Sequence, residues 1–404
     1  MESGVTTAEL TALETAIRLA EPEYLADLER LVNIDCGSYT PTGVDEIGRF
    51  VAGTLASLGA VVEARPDPAG RLGATIIGTW AGESGSGPRL LLIGHMDTVF
   101  DPGAAAERPF AIADGRATGP GVTDMKSGLL TGLYAIRAIL SGGPLPFEQV
   151  TFIANPDEEI GSPTSTPHIR EFAAQADACL VLECARANGD IVSSRKGILD
   201  ARIVVHGRAA HAGVEPEKGR SAILAAADLV IRLHSLNRRR EGVTVGVGVI
   251  GGGTRPNVVP DRCALELDVR AVRRADLEAV EAEIRSMLGR LTVPDTTAEL
   301  EVMARWWPME KLERSERLVE HAKTLARRLD FEVSDAATGG ASDANTTAGM
   351  GVASLDGLGP VGGMDHSPEE YIEVATIVPR TALLAALILA IGRDPVVAGW
   401  REAG

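Results

Sequence analysis

The sequence is poor in aromatic residues, cysteine and positive charge. Phe, Trp and Tyr together make up 4% of 404 residues. The four cysteines, Cys36, Cys179, Cys184 and Cys263, have neither a CxxC nor a disulfide-like spacing. That predicts reduced thiols in a cytoplasmic protein. Lys and Arg number 39 against 56 Asp and Glu, a net charge of −17. A chain this acidic is repelled by nucleic acid and by anionic membranes, so neither is expected as a partner. The one basic run, Arg238-Arg239-Arg240, follows an apolar helical pattern and reads as a solvated helix end. No apolar stretch is expected to reach the ~18–20 residues of a membrane span. The N-terminal "MESGVTTAELTALETAIRL" contains acids and no apolar signal core, so it reads as an amphipathic helix. There is no internal repeat and no low-complexity segment.

Glycine (45 residues) and apolar residues (45%) are plentiful. This composition suits an α/β protein with tight turns and a large core, and the length allows two or three domains. The first half alternates strand and helix signals. Helical periodicity covers about Glu23 to Val32 and Asp45 to Leu58, and begins again at Met125. Strand signals stand at "VVEARP", "ATIIGTW", "RLLLIGHMD", "QVTFIANPDEE" and "ACLVLEC". From about Lys196 the pattern becomes β-α-β-β-α-β, which is ferredoxin-like. After Trp307 the first texture returns. The expected division is a catalytic domain in two parts, 1–196 and 307–404, with an inserted domain over 197–306. "GTWAGESGSGPR" is expected to be a hairpin-like turn; it lacks the strand-to-helix context of a phosphate loop.

The apolar run Leu90–Ile93 is the signature of a strand covered on both faces. Gly94 is expected to turn the chain, and His95 and Asp97 follow. Ligands of open α/β sheets sit beyond the carboxyl ends of strands. His95 is therefore placed where a functional side chain belongs, although a structural histidine with Asp97 capping the turn has the same pattern. Asp124, Glu158, Glu159, Glu183 and His366 also stand at the edges of elements. Converging carboxylates repel one another unless a cation neutralises them. Nitrogen and carboxylate donors without cysteine suit Zn²⁺ in a hydrolytic site, with Mn²⁺ or Co²⁺ as alternatives. A two-metal site needs a bridging carboxylate and about two further ligands per ion, and His95, Asp124, Glu159, Glu183 and His366 supply five. Of the adjacent acids Glu158 and Glu159, one can bind metal while the other serves as general base. Asp97 can hold the free ring nitrogen of His95.

In this order, "GHMDTV", "GPGVTDMKSG", "NPDEEIGS", "LE", "HAG" and "DHSPEEY" resemble the dinuclear zinc peptidase family of glutamate carboxypeptidases, aminoacylases and deacetylases. The resemblance runs from about Tyr24 to Ile391. It implies two zinc ions per subunit, bridged by Asp124, with His95 and Glu183 on one and Glu159 and His366 on the other. It also implies a cis Asp124-Met125 peptide and Glu158 as the base. The inserted domain is implied to form a homodimer in which His211, the "HAG" histidine, steadies the oxyanion in the partner's site.

"TRPNVVP", "LELDVR" and "GGASD" are similar to the glutamate carboxypeptidase branch. They imply Asn257 and Arg270 near a substrate carboxylate and Ser342 and Asp343 bordering the site. Such a carboxylate suits a bidentate Arg and amide donors, although Arg270 also fits a surface strand charge. Arg305 is a weaker candidate. His206 reads as a packed or solvent-facing strand residue, His168, His234 and His321 read as surface residues, and Trp306 and Trp307 as packing at a domain junction. The expected activity is hydrolysis of an amide bond next to a free carboxylate by a zinc-activated water. The product would be C-terminal glutamate from small peptides or folate-like N-acyl-glutamates. N-acyl amino acid hydrolysis and dipeptidase action share the same core site. A non-catalytic binding homologue would be expected to have lost a ligand or the base, and all are present.

Overall fold

The computed structural model describes residues 4–82 and 85–401, without the side chain of Arg238. Glu83 and Ser84 of the expected hairpin-like turn, and Met1 to Ser3 of the expected N-terminal helix, lie outside the described residues. The chain divides into two compact units. The first comprises Met1–Ser193, Lys311–Ala337 and Ser342–Gly404; the second comprises Ser194–Glu310 and Thr338–Ala341.

Among its described residues the first unit has a six-stranded sheet. Its order is Val61–Arg65, Thr75–Ala81, Gln149–Asn155, Arg89–His95, Ala178–Val181 and Ala353–Leu355. The last four strands run parallel. Leu90, Leu91, Leu92 and Ile93 are at most 2% exposed, as expected of a central strand covered on both faces. Gly94 continues this strand, pairing with Ala154, and does not turn the chain. A Cβ at Gly94 would lie 3.2 Å from both the Met125 Cε and the Leu129 Cδ1 atoms, so glycine here admits close packing. A small antiparallel sheet joins Ala111–Ala113 and Arg116–Thr118 to Tyr371–Glu373 and Gly362–Gly363. It brings the segment leading to Asp124 beside the connection that contains His366.

Helices Thr7–Val32, Ser127–Gly142 and Ile377–Gly392 pack into one apolar core. Thr6 opens the first with a capping box to Glu9, and the helix continues through Pro22. The stretch Val374–Gly392 corrects the expectation about long apolar runs: by length and composition it could cross a membrane. It is 78% buried inside the protein, which makes it a core helix. Within it, buried Arg380 donates to the carbonyls of Gly189, Gly357 and Gly359. Burial pulls that guanidinium down to about 10. His321 is likewise buried and not a surface residue, because Asp394, 73 positions away, meets its Nε2 at 2.8 Å. The four cysteines are free and buried.

The second unit is a four-stranded antiparallel sheet in the order Thr244–Gly252, Arg262–Ala271, Gly197–His206 and Thr297–Trp306. In chain order this is β-α-β-β-α-β, with helices Ala222–His234 and Arg274–Leu288. Gly197–His206 alternates strictly between buried and half-buried positions. Its inward residues Leu199, Ile203 and Val205 share a separate core with Leu229 and Ile284 of the helices. Arg239 and Arg240 both pair with Glu283. Trp307 packs against this core under Arg274 and Arg305.

Candidate metal centre

Three neighbouring parallel strands end at the candidate site. Arg89–His95 ends in His95 itself, Gln149–Asn155 leads to Glu158 and Glu159, and Ala178–Val181 leads to Glu183. Strand register sets His95 opposite Asn155. His366 comes from the connection between Gly362–Gly363 and Tyr371–Glu373, and it takes φ +60°. That left-handed conformation is uncommon outside glycine, and histidine is among the residues that adopt it more readily.

The donors converge on Asp124. Its Oδ1 lies 3.0 Å from His95 Nε2, and its Oδ2 lies 3.1 Å from His366 Nε2. Glu183 Oε1 stands 3.7 Å from His95 Nε2, and Glu159 Oε2 stands 3.1 Å from His366 Nε2. Each oxygen of Asp124 therefore faces a different histidine, each of which has its own second carboxylate. Spacings near 3 Å suit donors that each lie ~2.0–2.2 Å from a shared ion. His95, Asp124 and Glu159 also each bring one donor atom within 4.8 Å of the others. Glu159 Oε1 is buried without a hydrogen bond. An orphaned buried carboxylate oxygen beside two imidazoles fits a cation site. The Asp124-Met125 peptide is cis, as the family resemblance implied.

Electrostatics agree with this geometry. Burial alone would pull His95 down, but hydrogen bonds to Asp124 and Asp97 hold it well above the usual histidine value. Hydrogen bonds to Asp124 and Glu159 push His366 up to about 10. Burial would raise Asp124, but the two imidazoles hold it well below the usual range. A cation would compete with these protons, since imidazole coordinates as the neutral base.

Asp97 organises the other side of the site. It is fully buried. His95 Nδ1 lies 3.0 Å from its carbonyl oxygen and 3.3 Å from its Oδ1. The carboxylate also accepts the Ser38 hydroxyl at 2.6 Å and the backbone N–H groups of Glu158 and Glu159 at 3.1 and 3.2 Å. The Glu158 side chain makes no hydrogen bond among the described residues, and burial raises its carboxyl well above the usual range. A carboxyl oxygen without a donor, beside a site where a cation would favour its ionised form, is what a general base requires.

Residues 91–390 match the model of peptidase family M20/M25/M40. The chain belongs to this family. It is 29% identical over 92% of its length to carboxypeptidase G2 of Pseudomonas sp. (strain RS-16), covering 90% of that protein. It is 28% identical to succinyl-diaminopimelate desuccinylase of Leptothrix cholodnii, over 82% of this chain and 89% of that one. Among solved structures, aminopeptidase PepT of Bacillus cereus superposes with a TM-score of 0.77 at 25% identity, covering 92% of this chain and 99% of that one. The chain is thus a metal-dependent peptidase or amidohydrolase of the M20 family.

The residues expected to bind substrate are placed less simply. Ser342 is buried and its hydroxyl is bonded. It caps helix Asp343–Gly349, accepting the Ala344 N–H, and donates to Asp356 Oδ2 at 2.6 Å. The hydroxyl expected at the substrate is thus engaged within the fold through its donor and one of its two acceptor positions. Ser342→Ala is expected to cost about 1 kcal/mol in urea unfolding and to leave KM unchanged; a raised KM at wild-type stability would support the ligand role. Asp343 accepts from Asn155 Nδ2 and the Ser162 hydroxyl, bracing the turn that contains Glu158 and Glu159. Burial pushes its carboxyl up to about 6.

In the second unit, Arg270 is engaged by Asp268 through Nε and Nη2 and by the Gly339 carbonyl through Nη1. Arg305 pairs with Glu281. The backbones beside His211 and Asn257 are joined, since the Ala212 N–H donates to the Asn257 carbonyl. Both residues are exposed. His211 Nδ1 accepts the Gly213 N–H at 3.1 Å, which leaves the proton of the neutral ring on Nε2 as a donor. The sequence reading overlooked Ser38, Asn155 and Glu370. Glu370 carried a weak signal as the second acid of "SPEEY", four residues after His366.

Proposed function

We propose that this M20 enzyme binds two divalent cations, zinc in the first instance, and releases C-terminal glutamate from small peptides or folate-like N-acyl-glutamates. The observation that carries the reading is Asp124 placed between two histidines, with the unbonded Glu158 carboxylate nearby. Bound cations would supply Lewis acidity to the scissile carbonyl and acidify water. Glu158 takes the proton of the attacking water and returns it to the leaving amine. Asp97 fixes His95 and the backbone under Glu158, so the base and the donor set share one support. His211 of a second copy donates Nε2–H to the developing oxyanion.

Homodimerisation through the second unit is part of this reading. Its support is the edge strand Thr244–Gly252 with exposed Val249 and Ile250, and helix Ala222–His234 with exposed Leu224 and Ile231. The free buried cysteines support a reducing compartment, the cytoplasm. The choice of glutamate rests on the likeness to carboxypeptidase G2. The likeness to desuccinylases favours a second reading, hydrolysis of other N-acyl amino acids.

A panel of N-acyl-glutamates, including aminobenzoyl-glutamate, matched N-acetyl and N-succinyl amino acids, and dipeptides tests the choice. Amino acid release is expected from the glutamates, at least about tenfold faster in kcat/KM than from the rest, and is expected to stop on chelation. Release confined to the other acyl compounds would replace the glutamate assignment with the second reading.

A further inference from the structure

We propose that Glu370 is a positioning residue for Asp124, an inference that rests on the cation-binding reading above. Glu370 is fully buried, and among the described residues no Lys, Arg or His lies within ion-pair range of it. Three backbone donors compensate its charge instead. Oε1 accepts the N–H groups of Thr123 at 2.8 Å and Asp124 at 3.0 Å, and Oε2 accepts the Gly121 N–H at 3.0 Å. A buried carboxylate without a cationic partner is expensive, so its site must provide such donors at fixed positions. Here they belong to the very turn that ends in Asp124.

The turn is gripped from its other side as well. Lys126 is buried and donates to the Pro120 carbonyl at 3.0 Å and the Ile34 carbonyl at 3.1 Å. Thr123 Oγ1 donates to the Tyr371 carbonyl. Gly121 takes φ +74°, and a Cβ there would lie 2.5 Å from Thr98 Cγ2, so the path of the turn is closely defined. One buried carboxyl group holds its N–H groups and one buried ammonium group holds its carbonyl side.

Glu370 stands four residues after His366, in the same connection between Gly362–Gly363 and Tyr371–Glu373. This single segment therefore supplies the imidazole that faces Asp124 Oδ2 and the carboxylate that fixes the Asp124 backbone. The two halves of the 3.1 Å contact between His366 and Asp124 are set together. A residue needed only for folding of the turn would affect stability alone. A positioning residue must also affect how the donor set holds a cation.

Glu370→Gln keeps the side-chain shape but replaces one acceptor oxygen with an NH₂ group that faces backbone donors. The expected result is a loss of about 10–100-fold in affinity for at least one of two Zn²⁺ equivalents, measured by competition with a chromogenic chelator. The visible absorption of the Co²⁺-loaded protein is expected to change, and kcat to fall with KM within about twofold. Glu370→Asp, which keeps the charge, is expected to recover part of each effect and serves as the test variant should Glu370→Gln fail to fold. Glu369→Gln, at the exposed neighbour, is expected to be silent in every readout. Wild-type Zn²⁺ affinity and Co²⁺ absorption in both Glu370 variants would overturn the inference, whatever their thermal stability. A wild-type protein that takes up no cation would instead remove the reading on which it rests.

Discussion

Glu158→Gln is expected to lower kcat by at least about 10³-fold while the protein still takes up two equivalents of Zn²⁺. A positioned general base contributes ~10²–10⁴-fold on its own, and here the neighbouring carboxylates are each engaged through at least one oxygen. Asp124, Glu159 and Glu183 face imidazole nitrogens, and Asp97 and Asp343 are occupied by hydrogen-bond donors. The amide of Gln keeps the size of the side chain and cannot accept the proton. Turnover by single-turnover assay and metal content by atomic emission check the two halves separately. Unchanged turnover would remove Glu158 from the chemistry; lost metal would make it a ligand. The dimer enters the same experiment: Glu158→Ala chains mixed with His211→Ala chains are expected to regain activity, because a hybrid holds one intact composite site. No recovery after demonstrated subunit exchange would exclude the role of His211 in the partner's site.

Asp124→Asn is expected to have the second large effect, and of a different kind. Each oxygen of Asp124 faces its own imidazole, so replacing either with NH₂ sets a donor where a lone pair is required. The change also removes the negative charge shared by the two positions. Zn²⁺ affinity is expected to fall by more than about 100-fold, beyond the usual cost of altering a ligand's outer partner, and turnover with it. Isothermal titration would show fewer than two equivalents bound. Two equivalents at wild-type affinity would take Asp124 out of the donor set. The pairing of the variants is informative: one is expected to lose chemistry with cations retained, the other to lose the cations first.

The convergence of these candidate donors was legible because acids and histidines at the ends of apolar strands are costly unless they are used. His95, Glu158, Glu159 and Glu183 needed only the strand pattern, since parallel strands present their carboxyl ends on one edge of a sheet. Asp124 and His366 lie outside strands, and the family resemblance supplied their pairing. What escaped were partners fixed by the tertiary fold. Asp394 reaches His321 and Asp356 takes the Ser342 hydroxyl, and no periodicity announces either contact. The engagement of Arg270 by Asp268 was open to notice, because residues two apart on a strand share a face. Glu370 was hidden for another reason: it holds backbone N–H groups, which leave no trace in side-chain patterns. Arg380 hid the length of the apolar run in the last helix in the same way, since its partners are backbone carbonyl groups.

The position of Asp97 has a consequence for how such a protein can change by mutation. One carboxylate supports His95 and the backbone of both adjacent glutamates, so on the proposed reading a substitution there is expected to disturb ion capture and proton transfer at once. Drift through that position offers no halfway descendant. The tip of Glu158 is tied to nothing among the described residues and can be replaced without moving its neighbours. A lineage that kept the ions but abandoned hydrolysis would therefore be expected to bear its first scar at Glu158, and to retain Asp97 long after turnover had gone.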